Sequence, residues 1–254
     1  MNEHILSFAT SIGELMLRSG AETYRVEDTI TRILSIHNFD RIDTFVTPTM
    51  ITTAITINDV TVATDMRRIV DRSTRLDKIE LLNQLSRDYV SGKYSLDEAR
   101  AKVKEIDATP PYPFSHILWI TGVSTASFSL MFNGGLFEFC VSFAVGCLAA
   151  YVQEFLRTKK IVKYLTLFIL SFMIIAIIVP ISDIFDASLD AMIIGCIMIL
   201  VPGVAFTNSI RDTIGDELLS GISRGVEALC IAIVLAVGVS VPMSIYMTIG
   251  GVLR

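Results

Sequence analysis

The sequence is poor in the residues that metal, redox and hydrolytic chemistry require. It has four cysteines, Cys140, Cys147, Cys196 and Cys230, all inside apolar runs and none in a CxxC spacing. Cysteine in such a setting is a small hydrophobe, and no metal, redox centre or cofactor is expected of it. The three histidines, His4, His37 and His116, fall in no catalytic arrangement, and no GxSxG occurs. A nucleophile and its base therefore have no good candidates, and His37 is expected to end a helix. Positive charge is sparse as well. Lysine and arginine total 21 against 26 acidic residues, a net charge of −5 with no basic stripe, which argues against a nucleic-acid partner. Residues 1–20 contain Glu3, Glu14 and Arg18 and no uninterrupted apolar core, so a signal peptide is not expected there.

What the chain has in excess is apolar length. It is 52% hydrophobic with a mean hydropathy of +0.59, and the excess is uneven. Residues 1–113 are charged and read as a soluble α+β domain. Residues 114–254 hold apolar runs near 116–133, 136–156, 161–181, 187–206 and 221–249. A spanning helix needs about 20 mostly apolar residues. The fold class expected is therefore a membrane α-helical protein of about five transmembrane helices in a lipid bilayer, with four spans plus a re-entrant segment as the alternative. Basic residues occupy alternate links. The N-terminal domain has 14 of the 21, RTKKIVK has four, and the fourth link has Arg211 and Arg224, whereas NGGLFE and PISDIFDASLD have none. By the positive-inside rule the N-terminal domain is cytoplasmic and the C-terminus outside. Arg254 alone is on the wrong side.

In the N-terminal domain, Ile5, Leu6, Ile12, Leu15 and Met16 share a helical face, and Gly20 is placed to end that helix. A second helix is expected near 22–38. Its charges, Arg25, Glu27, Asp28 and Arg32, read as a solvated face with pairs such as Asp28/Arg32. The Thr/Val/Ile-rich stretches of 43–70 predict a hairpin about Asn58-Asp59, with Pro48 marking an edge or bulge. Two short helices follow between 75 and 107, the second opened by a Ser95/Glu98 capping box. TPPYPF then makes a stiff exit into the membrane. Thr121, Ser124, Thr125, Ser127 and Ser129 in the first span suit close helix packing. Glu138 and Glu154 are expected at the two interfaces.

The densest polar group borders the last two apolar runs, in LVPGVAFTNSIRDTIGDELLSGISRGVE at 200–227. Pro202 and Gly203 interrupt the helix and free backbone groups. Thr207, Asn208, Arg211, Asp212, Asp216, Ser220, Arg224 and Glu227 follow. Ionisable groups at a membrane mark a transport path or an internal ion pair, and here both readings stand. Arg224 and Glu227 are placed to pair across one turn, and Gly221/Gly225 permits a close neighbour helix. The cluster points to a transporter. The alternatives are a membrane-anchored regulatory subunit or a hydrolase-like protein whose cytoplasmic domain carries the activity.

Three stretches, SGAETYRVEDTITRIL at 19–34, DTFVTPTMI at 43–51 and VPGVAFTNSIRDTIGDELLSGISRGVEAL at 201–229, resemble in that order the threonine/serine exporter family in its split form, also described as succinate exporters. Gly20, Ala21, Glu22, Arg25 and Glu27 fall in the first of these motifs. The resemblance implies the larger subunit of a bacterial inner-membrane exporter, with a separate small membrane subunit supplying the second transporter half. It implies a small carboxylate substrate, an amino acid or a dicarboxylate. Combined with residue chemistry, it makes Arg211 or Arg224 the partner of the substrate carboxylate. Asp212, Asp216 or Glu227 would carry a proton or hold an ammonium, and Asn208 and Thr207 would donate neutral hydrogen bonds.

Overall fold

The structure, a computed structural model, describes residues 2–253, with side chains from 2 to 248; Arg254 lies outside the described residues. The chain forms two compact units, one of residues 1–110 with 204–226, the other of 111–203 with 227–254.

The first unit opens with α1 (Asn2–Arg18) and α2 (Thr23–Ser35). Gly20 ends α1 at φ +94°, where a Cβ would also lie 3.1 Å from the Ser73 carbonyl oxygen, so left-handed backbone and close approach both select glycine. Three antiparallel strands follow in spatial order, β1 (Arg41–Thr47), β2 (Met50–Ile57) and β3 (Val60–Arg68). The single hairpin expected here is thus a meander. Pro48 sits in a second tight turn rather than at an edge or bulge, because it has no N–H to give a ladder. The Asn58-Asp59 turn is where the sequence placed it, with φ of 50° and 60°, and the irregularity in register falls at Ile55/Thr56. Helices α3 (Leu76–Val90) and α4 (Leu96–Asp107) complete the domain, and the Ser95/Glu98 capping box is present. Phe8, Ile12, Met16, Ile30, Ile33, Ile51, Ile55 and Leu82 are fully buried between helices and sheet, each contributing about 1.5–3 kcal/mol relative to exposure. Helix α2 ends at Ser35, short of the expected boundary, and His37 follows it, hydrogen-bonded to Tyr89 Oη at 3.1 Å.

The same unit takes in α9 (Gly203–Ile214, from Val204 onward) and the first turns of α10 (Leu218–Leu253). A Cβ on Gly221 would overlap Thr213 Oγ1 and lie 3.0 Å from the Ser209 carbonyl oxygen. The close neighbour of the Gly221/Gly225 face is therefore α9, and Ser209 Oγ donates to the Gly221 carbonyl at 2.7 Å.

In the second unit are α5 (Phe114–Met131), α6 (Leu136–Thr158), α7 (Lys163–Phe185), α8 (Leu189–Ile197) with a 3₁₀ turn at Met198–Leu200, and most of α10. Val145, Ala149, Ile174, Ile178, Met192, Cys196, Ile231 and Leu235 form its core. The hydroxyls of α5 pack as expected. Thr125 donates to the Ser142 carbonyl at 2.8 Å, and a Cβ on Gly146 would overlap it. Among the described residues, three helices are long and apolar enough to cross a membrane, α6, α7 and α10. The segments 189–200 and 203–214 count as a fourth only if taken together, since they are bent by 60° at their break. The count of about five is therefore not reached: α5 is short, holds His116 and is rich in hydroxyls, and the break at Val201-Pro202 splits the fourth run. Glu138, expected to be merely interfacial, is buried and accepts from the backbone N–H of Gly135 and of Ser188, each at 2.8 Å.

Candidate functional site

The polar residues of α9 and early α10 converge on the short link between α1 and α2. With α1 ended at Gly20 and Glu22 the extended N-cap of α2, the carbonyls of Gly20 and Ala21 lie outside both helical ladders and need donors. They receive them from a segment near the other end of the chain. Asn208 Nδ2 donates to the Gly20 carbonyl at 3.2 Å, and Arg224 Nη2 to the Ala21 carbonyl at 2.8 Å. The Glu22 side chain does not cap its own helix. It accepts from Arg211 Nη1 and lies 3.3 Å from Arg25 Nε.

Asn208, Arg211 and Asp212 share one face of α9, spaced i, i+3 and i+4. Asp212 is fully buried, and its Oδ2 sits 3.0 Å from Arg224 Nε, itself nearly buried. This is a close ion pair without the alignment of a hydrogen bond, and both Asp212 oxygens, the adjacent Thr23 Oγ1 and Ser220 Oγ have no aligned partner. Two carboxylates, Glu22 and Asp212, thus face three guanidiniums, those of Arg25, Arg211 and Arg224. The excess is one positive charge. Arg211 is the most accessible member, its side chain 51% exposed, followed by Arg25 at 39%, whereas Glu22 is 8% exposed.

The other expected site residues are placed differently. Thr207 and Asp216 are exposed, Asp216 in the α9–α10 turn at φ +65°. Pro202 lies in the break, and Gly203 is the first residue of α9. Glu227 belongs to the second unit and pairs with Lys163 at 2.9 Å, while Arg224 meets Asp212. Glu27 is half-buried, and burial, reinforced by the charge of Glu217, raises its carboxyl above the ordinary range. The role of Glu22 as counter-ion of Arg211 had no local signal in the sequence, since 189 residues separate the two.

A family profile described as "Putative threonine/serine exporter" (ThrE) matches residues 7–246. Among curated relatives, the "Probable threonine/serine exporter" of Mycobacterium tuberculosis is 25% identical over 248 residues, which is 94% of this chain but only 46% of that protein. The chain thus spans about half the length of that relative. The "Probable succinate transporter subunit YjjP" of Klebsiella aerogenes is 21% identical, over 91% of this chain and 90% of its own. Its namesake in Escherichia coli is 21% identical over 92% and 91%. No solved structure matches the chain. These are names of transporters and not of enzymes, and they fit the apolar helices of a bacterial multi-pass membrane protein. With the family profile matched over nearly its whole length, the chain belongs to the threonine/serine exporter family.

Proposed function

We propose that this chain is one subunit of an inner-membrane exporter for small carboxylate metabolites, threonine, serine or a dicarboxylate such as succinate. A separate small membrane subunit supplies the second transporter half. The observation that carries the reading is the buried charge cluster about Glu22, with its single excess positive charge and its accessible Arg211 guanidinium. An exported carboxylate has to shed water before it crosses, and a preformed guanidinium replaces that water with a bidentate pair. In this reading Arg211 exchanges Glu22 for the substrate carboxylate, Asn208 and the Asp212–Arg224 pair position α9, and Asp212 or Glu227 carries the coupled charge. Thr207, Asp216, Ser220 and the Pro202-Gly203 break line or gate the path. Two related halves rocking about a central site is a common transporter plan.

In this reading the N-terminus lies inside and the C-terminus outside. The division expected from the sequence, a cytoplasmic domain at 1–113 and a membrane domain at 114–254, goes with this topology. Support comes from the folding of residues 204–226 into one unit with residues 1–110, since a link in the same compact unit as the N-terminal domain shares its side of the membrane.

The test is export of labelled threonine, serine and succinate from cells lacking the chain, then with it restored alone or with its small membrane partner. Arg211→Ala and Arg211→Lys are run in the restored strain. Export is expected only with both subunits, abolished by R211A and weakened by R211K, which keeps the charge but loses the bidentate fork. Normal export by R211A at normal membrane levels would overturn the assignment.

A further inference from the structure

Four consecutive carbonyls at the α1–α2 link divide between two neighbours. Those of Gly20 and Ala21 accept from Asn208 and Arg224. Those of Arg18 and Ser19 accept from the backbone N–H groups of Ser73, at 2.8 Å, and of Arg75, at 2.9 Å. Residues 69–75, which join β3 to α3, have no regular structure of their own, so these two bonds fix where the segment lies against the end of α1.

Where it crosses that end, the segment closes a cavity of about 140 Å³. Four cations, Arg18, Arg72, Arg75 and Lys78, line it against two carboxylates, Asp71 and Asp107. Even with Asp77, the partner of Arg75 at 2.7 Å, cations outnumber carboxylates among these residues. Arg75 also donates to the Pro110 carbonyl at 3.2 Å, which holds its guanidinium as a fixed part of the wall. The Lys78 side chain is 11% exposed, and its Nζ donates to the Asp107 carbonyl at 2.7 Å while Asp107 Oδ1 stands off at 3.8 Å. A nearly buried ammonium has three N–H groups to satisfy, and Asp107 alone leaves it short. Arg18 has no side-chain hydrogen bond or ion pair among the described residues. The end of α1 would ordinarily repel an anion through its last carbonyls, but those of Arg18 and Ser19 are already taken by Ser73 and Arg75.

We propose that this cavity is a regulatory site for a small oxyanion, inorganic phosphate or a short carboxylate, held between Arg18 and Lys78 under the 71–75 segment. A guanidinium and an ammonium give such an anion charge-assisted hydrogen bonds. Sites for drug-sized ligands run to roughly 300–1,000 Å³, so this one suits an anion of a few heavy atoms and not a nucleotide. The bound anion draws the 71–75 segment onto α1 and tightens its bonds to the carbonyls of residues 18 and 19. The carbonyls of residues 20 and 21, next along the same backbone, then hold Asn208 and Arg224 in a stiffer frame. Binding is independent of the exporter reading; only the effect of occupancy on export rests on it.

The test is isothermal titration of the purified full-length chain in detergent with inorganic phosphate, with succinate and with chloride as control, at fixed ionic strength. Hydrogen exchange is followed at residues 19–23 and 71–78. Phosphate or succinate is expected to bind saturably and chloride not, and the tighter of the two tells a phosphate site from a carboxylate site. Arg18→Ala removes a side chain with no partner to lose and should weaken binding about tenfold or more, the loss of one charge-assisted pair. Ser73→Asp puts a tethered carboxylate in the cavity and should exclude the added anion, which keeps the test decisive if R18A is unstable. Arg211→Ala is expected to keep the Arg18-dependent binding while losing export, so the two readings fail separately. Exchange at 19–23 should slow severalfold with the anion in the parent and in R211A, and not in R18A. Phosphate and succinate no better than chloride, R18A or S73D binding as tightly as the parent, binding lost in R211A, or unaltered exchange at 19–23 with the anion bound each overturns the proposal.

Discussion

Removing the Arg224 guanidinium should unfold the link between the α9–α10 segment and the α1–α2 turn. In the parent, Arg224 does two things at once. It neutralises Asp212, which is fully buried, from 3.0 Å away, and it gives the Ala21 carbonyl a donor at 2.8 Å. Arg224→Ala leaves a carboxylate in the interior without that counter-ion, and breaking a buried pair from one side costs about 3–5 kcal/mol. The orphaned carbonyl adds about 1–3 kcal/mol unless water reaches it. At about 1.4 kcal/mol per factor of ten, the folded fraction of this region falls by two orders of magnitude or more. Replacing both charges, Asp212→Leu with Arg224→Met, removes the isolated charge and is expected to lie within about 2 kcal/mol of the parent. The assay is chemical unfolding of the full chain in detergent, followed by hydrogen exchange at residues 19–26 and 204–226. An R224A protein within about 1 kcal/mol of the parent, or a double variant as unstable as the single one, would refute the account. If the double variant folds but does not export, the pair serves transport beyond its structural part.

Three further outcomes are expected. Gly221→Val puts a side chain against the Ser209 carbonyl, which lies 3.0 Å from the Cβ position and cannot rotate away. It should cost about 1–3 kcal/mol in detergent unfolding, and Gly225→Ala, which meets only the Ser209 side chain, should cost less. Glu27 has its folded-state pKa raised by burial and by Glu217. The folded chain therefore binds more protons than the unfolded one above pH 4.5, and stability from this group falls as pH rises through the raised value. Glu27→Gln should accordingly raise the melting temperature most at neutral pH and least in acid, and a gap that widens on acidification would contradict the sign. Ser95→Ala removes the capping box of α4, so about 1 kcal/mol and a few degrees of melting temperature should be lost with export unchanged.

The sequence by itself determined the features set by short-range pattern. Apolar periodicity placed α1, α3 and α4, and the apolar runs marked α6, α7 and α10. Gly20, the Ser95/Glu98 box, the Asn58-Asp59 turn and the Pro202-Gly203 break were legible because each depends on the conformation of a few adjacent residues. Pro48 was misplaced because proline fits a turn and an edge equally well until the neighbouring pairing is known. The five-span count came from hydropathy, with which the alternation of basic links agreed, and neither registers the bend at Val201-Pro202 or the hydroxyls that α5 spends on packing against α6. Only the tertiary structure decided the partners of the charges. Arg211, Asp212 and Arg224 were found as a cluster, but their counterparts, Glu22 and the carbonyls of Gly20 and Ala21, lie near the other end of the chain. Ion pairing depends on distance in space, and no periodicity carries that from one end of the sequence to the other; it took the folding of α9 against the α1–α2 turn to set Glu22 against Arg211 and leave Glu227 to Lys163.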